Sequence, residues 1–425
     1  MAGCGRRASS PQLRPRQGGS RRAGPAGRGR PTVSGRPSTW VRLRVDPAEW
    51  FSGEELDRAR RYRRPLARLR AIRAVLTVVL ALSFIFGQIG PRLFDWLGVK
   101  GWIVQLLVMI LAIEVAALAY NPLLDAWVDL RHDRRWGLST QTGRGFLADQ
   151  AKSFALSFVL SCILLIPIYW LIRNIGIWWL IGWAVTVSFT VVFGLLYPVL
   201  IAPIFNKFTP LRDEDLEARI RRIARLAEVE ISGTYVADES RRSRRDNAYV
   251  AGLGATRRVV LFDTLLEHPH DVVEQVVAHE VGHWRLRHLP KQIPVAAATL
   301  LVVFVVLRLV AGWSWIYQQA GTTGIGDPGS LPILLVAAQA AFVATTAATA
   351  WLSRAFERQA DEQALLLLDD PQALMDMHRR IHVKNLADLD PSPLRYLQLS
   401  HPPAAERLAF ASRWAASREV GTAPR

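Results

Sequence analysis

The chain has 425 residues, 50% of them hydrophobic, and a formal net charge of +17 from 53 basic and 36 acidic residues. Its apolar residues gather in blocks of about 17–25, long enough for a helix to cross a ~30 Å hydrocarbon layer, which excludes an ordinary soluble enzyme. Two cysteines, Cys4 in a polar tail and Cys162 inside an apolar block, exclude a disulfide framework and a cysteine-held metal cluster.

In chain order, residues 1–46 are expected to be a disordered basic tail, because the first 38 are rich in Gly, Pro, Arg and Ser, hold no acid and cannot bury a core. Residues 47–73 combine helical character with a dense basic face. They suit a helix lying on an anionic membrane surface, or equally a solvated charged helix. Residues 74–202 carry four apolar blocks, near 74–90, 102–120, 153–173 and 178–202, and two more follow near 293–312 and 331–351. Trp and Tyr at their ends, such as Trp102, Trp170, Trp178 and Trp351, fit the headgroup level. Any one block could be the core helix of a soluble protein; six argue for a polytopic membrane protein. The first begins about 70 residues in, too late for a cleaved signal peptide, so insertion is expected through that span itself.

Loop charge sets the expected topology. The 121–152 loop holds Arg131, Arg134, Arg135, Arg144 and Lys152, whereas the 313–330 loop has no Lys or Arg. Lys and Arg resist translocation, so the N-terminus, 121–152, 203–292 and the C-terminus are expected in the cytoplasm of a cell-membrane protein. The same distribution accounts for the positive charge without nucleic acid. Glu114, an acid inside the second span, is discounted as a site because it lies near the inner end, where it can snorkel.

Residues 203–292 are the soluble piece. Leu216, Ile220 and Ile223 mark an amphipathic helix, and 234–238, 247–251 and 258–262 read as strands of a small sheet, divided by a basic loop and by Gly252-Leu-Gly254. Asp271 and Glu274 read as a capping box opening the next helix. That helix carries His279-Glu-Val-Gly-His283. The i, i+4 spacing puts both imidazoles on one face, where they can hold one Zn²⁺ per chain, with Glu280 beside them as the base.

Residues 293–351 form a two-span hairpin that returns residues 352–425 to the same side. There Glu357 is the best third ligand, with Asp361, Glu362 and His401 as rivals. Asp361, one turn beyond Glu357, could accept the outer N–H of a ligating imidazole. For Glu357 and Asp361 a solvated helix face beside Arg354 and Arg358 is an even alternative. At 1.5 Å per residue both ligand sets lie about 10–15 Å from the ends of their spans.

The stretches HEVGHWRLRH (279–288), NAYVAGLGATRRVVLFDTLLE (247–267), FERQADEQAL (356–365), YPVLIAPIFNKFTPL (197–211) and SHPPAAERL (400–408) resemble the integral-membrane zinc metalloproteases of the CAAX prenyl protease type 1 family. The resemblance runs from about 47 to 415. It implies a mainly α, polytopic membrane helical bundle of about six spans with a small cytoplasmic α+β catalytic domain of gluzincin type. It also implies Asn247 and Ala248 as a substrate-pairing strand edge, and His401 and Arg407 as contacts to substrate or to the developing oxyanion; from its surroundings alone His401 reads as a capping or surface residue. The family's eukaryotic members carry one further span ahead of the stretch beginning at Phe51, where this chain has its basic tail. The expected function is a membrane-embedded zinc endopeptidase acting on peptide or protein substrates at the cytoplasmic side. Three alternatives stand against it: a heat-shock-type quality-control metalloprotease, a transporter, and a catalytically silent zinc-binding scaffold. The spans lack the paired Gly/Pro-broken helices of a transporter, and Glu280 speaks against a silent scaffold.

Overall fold

The computed structural model describes residues 38–252 and 257–422; the expected disordered tail up to residue 37 and part of the Gly252–Gly254 turn lie outside the described residues. Ordered contacts begin earlier than the expected boundary at 46. The carbonyl of Thr39 accepts from Arg358 Nε at 2.7 Å, and the N–H of Leu43 donates to Glu406 at 3.1 Å. Both contacts satisfy buried charges, which is what holds this segment down.

The first long helix, α1 (Gly53–Phe86), corrects a second expectation, because no separate interfacial helix exists over 47–73. After a short 3₁₀ turn, Ser52 and Glu55 close a capping box, and one unbroken helix runs from there through the first apolar block. Its N-terminal half is clamped to the soluble part. Leu56 and Ala59 pack with Ala404, Ala405 and Leu408, and Arg379 donates to both oxygens of Glu55 at 2.8 and 2.9 Å.

Helices α2 (Trp102–Leu118), α3 (Gly143–Asn174) and α4 (Trp178–Leu196) follow. Helical structure continues past α2 through a π-type turn at Trp127–His132 to Arg135. Among the described residues six helices are long and apolar enough to cross a membrane. Their outward faces are apolar: Val75, Val78, Val79 and Leu82 of α1 are each more than 40% exposed, a pattern stable only against lipid. Glu114 in α2 accepts from Ser157 of α3 at 2.8 Å, a neighbouring-helix partner that fits a structural role.

The soluble part is a four-stranded sheet with helices. Strand β1 (Phe208–Pro210) lies antiparallel to β2 (Gly233–Ala237), which runs parallel to β4 (Arg258–Phe262), with β3 (Ala248–Ala251) antiparallel at the far edge. The three strands expected from sequence are present; β1 is the one added by the structure. Helix α5 (Glu214–Leu226) buries Leu216, Ile220 and Ile223 as its spacing requires. Helix α6 (His270–Arg285) lacks the expected capping box. Its N-cap is Pro269, and Glu274 turns instead toward Arg222 at 3.4 Å. Helices α7 (His288–Ala311) and α8 (Leu331–Leu368) form the hairpin, followed by α9 (Pro371–Lys384) and α10 (Ala404–Thr422).

Helix α8 spans 38 residues, about 57 Å at 1.5 Å per residue, so one rod carries both the last membrane crossing and Glu357. Its C-terminal end enters the soluble core, where Leu365 joins Ile223, Val277, Phe410 and Trp414. That core sets the position of α6 against α8. Ile223 is fully buried in it and belongs to the distant α5. Ile223→Ala is therefore expected to destabilise by about 2–5 kcal/mol. A lowered melting temperature in detergent with unchanged metal stoichiometry is the expected result; an unchanged melting temperature would contradict this core.

Candidate active site

Helix α6 presents His279, Glu280 and His283, and α8 presents Glu357 and Asp361 one turn apart against it. The close approach depends on Gly282. A Cβ there would stand 3.0 Å from Cβ of Gln363 and 3.3 Å from the carbonyl of Ala360, so the absent side chain is what admits α8. Nε2 of His279 and Nε2 of His283 are 3.2 Å apart, and each lies 3.4 Å from one oxygen of Glu357. Tetrahedral bonds of about 2.05 Å have an edge of about 3.3 Å, so the three residues fit a four-coordinate metal with one position left open. The chemistry of the set agrees: two imidazoles and one carboxylate converge, and buried Oε2 of Glu357 has no hydrogen-bond partner. Nδ1 of His401 stands 2.7 Å from that oxygen but off the hydrogen-bond direction.

Behind the imidazoles Asp361 is 1% exposed. It accepts from Nδ1 of His279 at 2.9 Å, Nε2 of His378 at 3.1 Å and Nε of Arg407 at 2.8 Å. Asp361 holds the Nδ1 side of His279, which turns Nε2 toward Glu357. Burial lowers the affinity of His279 for a second proton, but its hydrogen bonds to Asp361 and Glu357 outweigh it and raise the pKa to about 10. Burial and neighbouring His279 push His283 down to about 3. The pocket therefore attracts positive charge at one imidazole while keeping the other neutral. Burial, with some help from Glu357, raises Glu280 to about 7, where a carboxylate can both take and return a proton.

A cavity of about 400 Å³ opens over these groups, lined by His279, Glu280, Asn247, Ala248, His401 and Arg407 among others. Among the described residues strand β3 pairs with β4 alone, which leaves its other edge without a strand. The site residues expected from sequence gather at this cavity, with Asp361 behind it and His283 lining a neighbouring pocket beside Glu280. Arg407 is 6% exposed and spends most of its guanidinium on Asp361, though Nη1 also reaches to 3.6 Å from Glu357. Arg354 and Arg358 do not mark a solvated face, being 2% and 1% exposed. Arg354 holds the carbonyls of Tyr396 and Leu399 at 3.0 and 2.6 Å, which brings the following His401 over the site. Sequence reasoning missed His378; its pairing with His382 at i+4 on α9 was the available signal.

A helical membrane bundle whose sheet-bearing domain holds this cavity has the layout of an integral-membrane metalloprotease. Residues 46–207 match the CAAX prenyl protease N-terminal model, described as five membrane helices, and residues 210–415 match the model of peptidase family M48. The chain belongs to peptidase family M48, on its CAAX prenyl protease side, and is a multi-pass membrane metalloprotease that hydrolyses peptide bonds. Among the described residues the first matched region holds four helices of spanning length, one fewer than that family description. The uncharacterized metalloprotease YhfN of Bacillus subtilis (strain 168) is 27% identical over 87% of this chain and 88% of its own length. A CAAX prenyl protease 1 homolog of Arabidopsis thaliana is 32% identical over 65% of this chain and 66% of its own. The crystal structure of S. mikatae Ste24p superposes with a TM-score of 0.78 at 24% identity, covering 87% of this chain and 92% of that one, and shares its fold. These matches favour neither the heat-shock-type reading nor a silent scaffold. The family implies a metal cofactor.

Because Gly282 sets the gap between α6 and α8, Gly282→Val is expected to move Glu357 away from the imidazoles. A displacement of about 1 Å at such a site can cost about 100-fold in rate. The loss should appear as lower kcat/KM together with reduced metal content per protein by elemental analysis. Full metal content in the variant would contradict the spacing argument.

Proposed function

We propose that the chain is a zinc-dependent endopeptidase of the cell membrane whose active site faces the cytoplasm and cleaves peptides or membrane-associated proteins. The observation that carries this reading is the convergence of His279 Nε2, His283 Nε2 and the Glu357 carboxylate, all within 4.8 Å, on a cavity bordered by Glu280 and an unpaired strand edge. In this reading His279, His283 and Glu357 hold one Zn²⁺. The bound ion would supply Lewis acidity, polarising the scissile carbonyl and making water acidic near neutral pH.

The chain's own residues do the rest. The substrate lies extended and pairs its backbone with the edge at Asn247 and Ala248, which fixes the scissile bond over the site. Glu280 takes one proton from the attacking water as its oxygen bonds to the carbonyl carbon. The same carboxyl returns that proton to the amide nitrogen as the C–N bond breaks, so acid and amine products leave with the proton count closed. His401 and Arg407 offer N–H groups toward the negative charge growing on the carbonyl oxygen. Asp361 keeps His279 in the tautomer that faces Glu357. The basic loops between alternate spans support a cytoplasmic site, and the relatives named CAAX prenyl proteases support substrates tied to the membrane.

Two variants separate base from ligand. Glu280→Gln removes the proton acceptor but no ligand, so peptidase activity should vanish with zinc still bound at one per chain. Glu357→Ala leaves two imidazoles and should lose metal and activity together. Turnover by Glu280→Gln comparable to wild type would sink the assigned base, and stoichiometric zinc in Glu357→Ala would sink the ligand set.

A further inference from the structure

The outer nitrogen of His279 is held by Asp361, whereas that of His283 faces a second imidazole. Nδ1 of His283 lies 2.9 Å from Nδ1 of His288, and Nε2 of His288 lies 3.1 Å from Oε1 of Gln359. His288 is 1% exposed, with its ring stacked on Phe356 at 4.4 Å and 12°. We propose that His288 and Gln359 form a relay that fixes His283 in the tautomer able to bind metal, an inference that rests on the zinc-site reading above.

The argument is one of hydrogen-bond polarity. A nitrogen-to-nitrogen contact needs one N–H and one lone pair, so the pair has two possible senses. If Nδ1 of His283 carries the proton, Nε2 is bare toward Glu357, Nδ1 of His288 accepts, and Nε2–H of His288 must donate. The amide oxygen of Gln359 is an acceptor placed to receive it. In the other sense the proton sits on Nε2 of His283 and closes the ligand position. With Oε1 turned toward Nε2 of His288, Gln359 supports the first sense from two residues away from the metal position.

The backbone is bent to make this contact. Arg287, between α6 and α7, has φ of 54°, a left-handed conformation that a side-chain-bearing residue adopts at a cost, and it turns His288 back over His283. His288 is the first residue of α7 and Gln359 lies on α8, so the relay closes only when the membrane hairpin is docked against α6. His288 and Gln359 are positioning residues, acting through His283.

The test uses the purified full chain in detergent, stripped of metal and titrated with Zn²⁺ against a competing chelator. His288→Ala and Gln359→Leu should each weaken Zn²⁺ binding by about 10–100-fold, the usual cost of removing an outer partner of a ligating histidine. Gln359→Glu, whose carboxylate can only accept, should bind at least as tightly as wild type. The absorption bands of the Co²⁺-loaded protein should change in the first two and stay as wild type in the third. A merely structural role would instead lower the melting temperature of the metal-free variants and leave affinity unchanged. If His288→Ala does not fold, the Gln359 pair decides. Wild-type affinity in Gln359→Leu, or equal weakening in Gln359→Leu and Gln359→Glu, overturns the relay. Failure of wild type to take up zinc, or full uptake by Glu357→Ala, would overturn the zinc site itself, whereas normal uptake in wild type with unaffected relay variants overturns the relay alone.

Discussion

Four helices meet on one buried carboxylate. Asp361 on α8 takes hydrogen bonds from His279 on α6, His378 on α9 and Arg407 on α10, and none of these elements is a sequence neighbour of all the others. An isolated charge at that depth is untenable, and removing one partner of a buried pair typically costs roughly 3–5 kcal/mol. The assembly is therefore close to all-or-none: either the helices converge and the charge is satisfied, or they do not and it is stranded. Placing that carboxylate one turn from Glu357 ties the ligand geometry to the same condition.

A second layer of buried charge does similar work further out. Arg358 binds Glu406 at 3.0 Å and the carbonyl of Thr39, while Glu406 also accepts from Tyr396 at 3.1 Å and from Leu43. Arg354 holds the turn that leads to His401. The two arginines of α8 thus fasten the first described residues and the C-terminal segment to the same helix. The catalytic domain is assembled around the end of a membrane helix, with sheet and helix α5 packed on the far side of α6.

How much of this the sequence discloses depends on the range of the interaction involved. The metal face of α6 follows from helical periodicity within five residues, and α5 follows from three apolar residues on one stripe. The pairing of Glu357 with Asp361 is likewise local, one turn apart. Burial of Arg354 and Arg358 is not local: their partners are Tyr396, Leu399, Glu406 and Thr39, so a charged stripe looks solvated until the fold supplies acceptors. The basic face of α1 misleads for the same reason, since Arg60 donates to Asp390 and Arg63 to the carbonyl of Leu386. Strand β1 is three residues ending in Pro210, too short for an alternating pattern. The absent capping box at Asp271 shows local chemistry overruled, with Glu274 drawn off by arginines of α5.

The unbroken course of α1, from the clamp on α10 into the first apolar block, has a mechanical meaning. A loop at that junction would let the soluble part rock and drift relative to the lipid; a continuous helix, joined by α8, holds it at one height. Two such struts turn the cavity beside Glu280 into something like the fixed jaw of a gauge, kept at a set distance from the membrane-spanning segments.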